Sequence, residues 1–171
     1  DGSRRGASLG HLRTALKRAG YEPPDVTDIL MTHLHCDHAA GLTENGERLF
    51  PNAVLHVSAE EARFWRTPAE HDEIQATQTP LALAAMEAYR DRLVEFRPGG
   101  DVLPGVQARA LPGHTPGQVG YLVGRADPVL ISADVLHLPA LQIAHPEWGF
   151  LFDAHRVQAL STRRALLMET A

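Results

Sequence analysis

A mixed α/β (α+β) layered fold is what this sequence predicts, and three observations carry the prediction. Amphipathic stretches at helical spacing are interspersed with short apolar runs of strand length. Between residues 106 and 133, three such runs follow one another with only Gly/Pro punctuation between them, as antiparallel hairpins require. Histidines and aspartates stand just past the ends of several strand candidates, where a sheet rim would gather them.

The elements follow in order. Leu9, Leu12 and Leu16, with Ala15 and Ala19, recur at helical spacing before Gly20, so residues 8–19 read as an amphipathic helix. Pro23-Pro24 enforces an extended connection, and Val26 to Thr32 is a strand candidate. Ala53 to Val57 is another. Ser58-Ala59-Glu60-Glu61 has the form of a capping box and opens a helix containing Phe64 and Trp65. Residues 67–80, with Pro68 and Pro80, read as a loop. Leu81 to Arg92 reads as a helix with Leu81, Ala84, Ala85 and Ala88 on one face. Pro98-Gly99-Gly100 and Pro104-Gly105 are turns, and Val106–Leu111, Gln118–Val123 and Val129–Ala133 are the three strands of the hairpin region. Residues 139–153 read as irregular, and Ala154 to Met168 is helical in composition.

A length of 171 residues with 44% hydrophobic content predicts a single domain over residues 1–171. Charged residues are 22% and the net charge is -5, so no basic surplus exists to attract phosphate backbones, and nucleic acid is excluded as a partner. No stretch approaches the ~18 apolar residues of a membrane span, and no signal peptide is visible, which makes a cytoplasmic protein without membrane contact the default. Apolar faces on helices at 58–66 and 81–92, read as exposed, are compatible with a homodimer. The single cysteine, Cys36, excludes an intrachain disulfide. In an extended turn Cys36 and Leu34 face away from His33, His35 and Asp37, so Cys36 is not expected to be a ligand.

The chemistry concentrates in His33-Leu34-His35-Cys36-Asp37-His38, directly after the apolar run Ile29-Leu30-Met31. Imidazole and carboxylate suit Zn²⁺ or a similar divalent ion, and four such groups in one short turn can serve two metals. Farther along, Leu111-Pro112-Gly113-His114-Thr115-Pro116-Gly117 frames a histidine between two Pro/Gly pairs, a rigid loop that holds a ligand with little entropy left to lose. Ser132-Ala133-Asp134 ends the last strand candidate with a carboxylate.

These three pieces together resemble the metallo-β-lactamase-fold hydrolase superfamily. Asp134-Val135-Leu136-His137-Leu138-Pro139, His145-Pro146-Glu147-Trp148, Phe152-Asp153, Thr162-Arg163-Arg164, Phe50-Pro51-Asn52-Ala53 and Glu61-x-x-Phe64-Trp65 are similar to the branch containing methyl parathion hydrolase and N-acyl homoserine lactonases. The resemblance implies an αββα sandwich with a binuclear metal site at one edge. It also implies hydrolysis of a lactone, ester or organophosphate triester, a small-molecule substrate, by a hydroxide formed from metal-bound water. Carried over, His33, His35 and His114 hold the first metal, Asp37 and His38 the second, and Asp134 bridges them. The shared carboxylate screens two cations ~3.5–4 Å apart. Two Zn²⁺ are implied, with Mn²⁺, Co²⁺ or Fe²⁺ as alternatives. Asp37 is also assigned a proton transfer to the leaving group. His137 stands where related lactonases carry a tyrosine that assists the substrate oxygen, and is expected to act as a donor. Trp148, Phe150 and Phe152 either wall an apolar substrate pocket or cap the core; His145 and His155 are expected at the surface.

The family's further second-metal histidine, beyond the last helix, and its first strands have no counterpart in this sequence. The expectation is therefore an interior portion of a longer protein that, alone, binds at most one metal tightly and has low or no hydrolytic activity. Two other functions compete: an iron-dependent oxidoreductase of the same fold, and a catalytically silent fragment. The diiron type carries a glutamate where His35 stands, which counts against the first.

Overall fold

The structure, a computed structural model, describes residues 10–169. The first helix, α1 (Leu12–Arg18), is shorter than expected, and Leu9 lies outside the described residues. Past Pro23-Pro24 the chain extends into β1 (Asp28–Leu30), and the ligand-rich turn follows, with Cys36 opening the short helix α2 (Cys36–Ala39). A small hairpin, β2 (Thr43–Glu44) and β3 (Glu47–Arg48), was not anticipated. Asn45 and Gly46 both hold positive φ between its strands, the backbone that a two-residue hairpin turn demands and that Asn-Gly supplies cheaply.

Next come β4 (Val54–Ser58) and α3 (Ala59–Trp65). Ser58 caps α3, its Oγ accepting from Glu61 N at 3.1 Å. The expected reciprocal half of the capping box is missing, because the Glu61 side chain turns inward to Leu34, Trp65 and Thr115. The loop expected over 67–80 is a correction: α4 runs Glu73–Ala88, capped by Asp72, whose side chain accepts from Gln75 N at 2.8 Å. Pro80 removes one hydrogen bond inside α4. The helix survives because Gln75, Thr79, Ala82, Ala85 and Met86 are buried along it, so tertiary packing outweighs local propensity. The helix expected over 81–92 is the second half of α4 and ends at Ala88, where Tyr89 leaves helical geometry.

The remaining strands are β5 (Leu93–Phe96) and β6 (Asp101–Leu103), neither anticipated, then β7 (Val106–Ala110), β8 (Val119–Val123) and β9 (Val129–Ile131). A short helix, α5 (Pro139–Gln142), interrupts the segment expected to be irregular, and α6 (Arg156–Glu169) closes the described chain.

Strands β1, β4 and β5 form a parallel sheet in the order β1-β4-β5, and β6-β7-β8-β9 form an antiparallel meander. Three apolar clusters give the layer order. Helical residues Ala62, Phe64, Trp65, Ala82, Ala85 and Met86 pack with Leu55 and Val57 of β4 on the outside of the first sheet. Leu30 and Phe96, from that sheet, pack against Ala108, Val119 and Tyr121 of the second. Leu111, Val135 and Leu166 join the far side of the second sheet to α6, with Leu130 against them. The result is a helix–sheet–sheet–helix sandwich. Tyr121 Oη, donating to Met31 O at 2.7 Å, stitches the sheets together. On α3 and α4, Ala62, Phe64, Trp65, Ala82, Ala85 and Met86 are buried in this interior, Leu81 and Leu83 are half-buried, and Ala76 and Ala84 are exposed. No helix among the described residues is long and apolar enough to cross a membrane.

Candidate functional site

Strand β1 ends at Leu30, and Thr32 O accepts from Val119 N at 2.9 Å, so the turn that follows is tied to the second sheet where it starts. His33 and His35 lie on this turn with their side chains buried, while Leu34 between them points into the core. Backbone N–H groups of His38 and Ala39 bond to His35 O, which starts α2 and swings His38 back toward His33. His114 follows the end of β7, on a loop held by Ala154 N and His155 N donating to His114 O and Gly113 O. Asp134 follows β9, just after Ala133, whose φ of +50° is rare outside glycine and turns the chain sharply at the carboxylate.

These segments meet. His33, His35 and His114 offer one donor atom each within 4.8 Å of one another, as do His33, His38 and Asp134. The two oxygens of Asp134 divide between the groups. Oδ1 lies 3.4 Å from His38 Nε2, whereas Oδ2 lies 3.4 Å from His114 Nε2, 4.0 Å from His33 Nε2 and 3.2 Å from His137 Nε2. Asp37 stays at the rim, its side chain 71% exposed and its carboxylate 3.6 Å from His38 Nε2.

The outer ring nitrogens are engaged by the protein. His35 Nε2 donates to Gln75 Oε1 at 2.8 Å, and Gln75 Nε2 donates to Phe152 O at 3.0 Å, which fixes the orientation of the amide. His114 Nδ1 donates to Asp153 Oδ1 at 3.0 Å. With their protons outward, His35 Nδ1 and His114 Nε2 present bare lone pairs to each other at 2.8 Å. His33 Nε2 is buried without a hydrogen-bond partner. Orphaned and mutually facing lone pairs beside a carboxylate are a donor set that fits a divalent cation.

The electrostatics agree. Burial, reinforced by its histidine neighbours, drives the His33 imidazole well below its ordinary value. Burial, and then His114, lowers His35 to about 4, so both rings are neutral and available as ligands. Burial would raise the Asp134 carboxyl, but the surrounding histidines, His137 and His38 foremost, hold it far below the usual carboxylate range. Burial would lower His38, yet Asp134 and Asp37 together raise it.

Five of the six residues expected as ligands thus converge, with Asp37 beside them. His137 joins the rim: its ring stacks on Phe150 at 3.8 Å, and its Nε2 lies 3.2 Å from Asp134 Oδ2. The Phe152 ring lies 6.3 Å from that of His35, while Trp148 is half exposed and stacks on His145 away from the ligands. His145 and His155 are exposed, and Cys36 belongs to none of the donor groups among the described residues. Sequence reasoning missed the supporting layer of Gln75, Asp153, Glu61 and Thr115. The i, i+4, i+7 spacing of Gln75, Thr79 and Ala82 after Asp72 was a usable helical signal, hidden by Pro80.

Among solved structures, AidC, a dizinc quorum-quenching lactonase in complex with a product N-hexanoyl-L-homoserine, superposes with a TM-score of 0.86 at 26% identity, over 94% of this chain and 59% of that one. The hydrolase AbOPH of the beta-lactamase superfamily gives 0.84 at 31% identity, over 96% and 60%. An N-acyl homoserine lactonase from Bacillus sp. is 36% identical over 123 residues, which is 70% of this chain and 42% of that protein. The chain thus spans about two fifths of that curated relative. The profile of the metallo-beta-lactamase superfamily matches residues 2–171, and the chain belongs to that superfamily.

Proposed function

We propose that this chain carries the metal centre of a hydrolase that opens lactone rings. The observation that carries the reading is the facing pair His35 Nδ1 and His114 Nε2, bare lone pairs 2.8 Å apart beside the buried, unpartnered His33 Nε2 and the divided carboxylate of Asp134. His33, His35 and His114 would hold one ion and His38 and Asp37 a second, with Asp134 between them; residues 1–171 form a single domain in this reading. Zinc suits the donors, which are nitrogen and carboxylate oxygen. When bound, the ion supplies Lewis acidity to the substrate carbonyl and brings the pKa of water down toward ~7.

The chain's own residues do the rest. Asp153 and Gln75 fix the tautomers of His114 and His35, so that the lone pairs point inward. His137, its ring held by Phe150 and its Nε2 3.2 Å from Asp134 Oδ2, would turn an N–H toward the substrate oxygen once that carboxylate is engaged by the ion. Asp37, exposed at the rim beside His38, would hand a proton to the leaving oxygen. In the net reaction water adds across the acyl C–O bond: the carbonyl carbon takes the hydroxyl, and the ring oxygen leaves as an alcohol carrying a proton. Phe150 and Phe152 give the apolar side of the pocket. The kinship to lactonases, AidC among them, supports a lactone over other esters.

The deciding experiment supplies the zinc-loaded protein with an N-acyl homoserine lactone, an aryl ester and a phosphotriester, and follows acid release. Preferential cleavage of the lactone, lost on chelation and restored by zinc, is the expected result. A zinc-bound protein that leaves all three intact would overturn the reading in favour of a silent fragment. Iron with redox turnover would favour the oxidoreductase.

A further inference from the structure

Glu61 is a fully buried carboxylate with no part in the chemistry just described, and three of its hydrogen bonds lead to residues that adjoin or touch a candidate ligand, with the Gly117 backbone as a further partner. Its Oε1 accepts from Leu34 N at 2.8 Å, the peptide between His33 and His35, and from Trp65 Nε1 at 2.6 Å. The Trp65 indole stands edge-on to the His35 ring, with centroids 5.5 Å apart. Glu61 Oε2 accepts from Thr115 Oγ1 at 2.5 Å, and Thr115 follows His114. One side chain on α3 therefore ties together two loops whose ligands lie far apart in sequence. The tie is itself braced: Ser58 Oγ donates to Gly117 O at 2.6 Å, and the Gly117 α-carbon sits so close to the backbone of Glu60 and Glu61 that no Cβ fits there.

Both oxygens face donors, so the acceptor-only carboxylate matches the site better than the acid, which would turn a proton against an N–H or O–H. Burial pushes the Glu61 carboxyl above its ordinary value, with Thr115, Trp65, Leu34 and the Gly117 backbone pulling against it. A polar group desolvated this fully is tolerated because every contact is made.

We propose that Glu61 is a positioning residue that sets the spacing of His33 and His35 against His114, and thereby the affinity of the centre for its ion. This inference rests on the metal-centre reading above. Behind the ligands, the carboxylate acts as an outer support of the kind whose loss weakens metal binding about 10- to 100-fold.

The test measures zinc affinity by competition with a chromophoric chelator in the parent and three variants, with circular dichroism establishing that each is folded. Glu61→Leu removes the tie, and zinc affinity should fall about 10- to 100-fold. Glu61→Gln keeps one acceptor oxygen for Leu34 N and Trp65 Nε1 and turns its amide N–H toward Thr115 Oγ1, which can accept, so it should restore most of the loss. Thr115→Val cuts a single arm in a milder change and should show a smaller loss in the same direction, which decides the matter if Glu61→Leu does not fold. A purely structural Glu61 would lower the melting temperature and leave zinc affinity unmoved. Folded variants within twofold of the parent overturn the proposal, as does a Glu61→Gln protein as weak as a folded Glu61→Leu. A parent that binds no zinc overturns the metal-centre reading, and the proposal with it.

Discussion

His35 and His114, on different loops and 79 residues apart, face each other nitrogen to nitrogen at 2.8 Å, each with its proton committed outward, to Gln75 and Asp153. Two lone pairs at that distance repel unless a cation lies between or beside them. Zinc should therefore stabilise the fold: at a hundred times its dissociation constant the gain is about 2.7 kcal/mol. For a chain of this size that is roughly 5–10 °C in melting temperature. Thermal melts with zinc, with chelator and in His114→Ala should show the rise, its reversal and its absence. Identical melts in all three would argue against a cation site.

His137 offers a second test. Replacing it by Phe keeps the stack on Phe150 and deletes the donor. Lactone turnover should drop about 100-fold, the typical loss for a removed oxyanion donor. Zinc content should stay at the parental level. A kcat within threefold of the parent would remove His137 from the chemistry.

Arg163 is buried in α6 and donates to Val135 O at 2.8 Å, Pro146 O at 2.9 Å and Trp148 O at 3.2 Å, with Nη2 3.6 Å from Asp153 Oδ2. Arg163→Met leaves three carbonyls and the Asp153 carboxylate without this partner, a loss of about 3–5 kcal/mol. Urea denaturation measures it. A change below about 1 kcal/mol would mean that Arg163 is not what fixes the segment between Val135 and Trp148.

One pair on the first sheet makes a separable contribution to acid sensitivity. The hydrogen bond from His56 Nε2, at 2.8 Å, holds the Asp28 carboxyl below its ordinary 3.8. A carboxyl depressed in the folded state contributes stability that is complete above 3.8 and is lost as pH falls through the folded value. Because the Asp28 side chain is 31% exposed, although His56 is buried, solvent screening keeps the contribution to roughly 1 kcal/mol. Asp28→Asn should thus weaken the protein slightly at neutral pH and not in strong acid. Equal destabilisation at both would contradict the assignment.

Much of the site was legible because its donors sit in short, chemically distinctive runs at strand ends: His33 to His38, His114 between Pro/Gly pairs, and Asp134 after Ile131 and Ser132. The hairpin strands β7, β8 and β9 were legible for a related reason, since Gly and Pro mark their limits. What escaped was decided by distant packing. Nothing local says that Glu61 abandons its capping role for Thr115, or that Pro80 sits inside a helix secured by the burial of Met86 and Ala85. Strands β5 and β6, four and three residues long, are too short to show an alternation of their own until their partners β4 and β7 are known. The Asn45-Gly46 turn was readable in principle, but its two-residue arms carry no alternation to draw attention.

The donors of the centre come from the rims of both sheets, and this has a mechanical consequence. An ion gripped by His33 and His35 on one side and by His114 and Asp134 on the other is a cross-link between the two layers, closing a loop of about a hundred residues much as a disulfide would. Loading the ion should slow the layers' separation, so that protease attack on the interior would have to wait for the ion to leave.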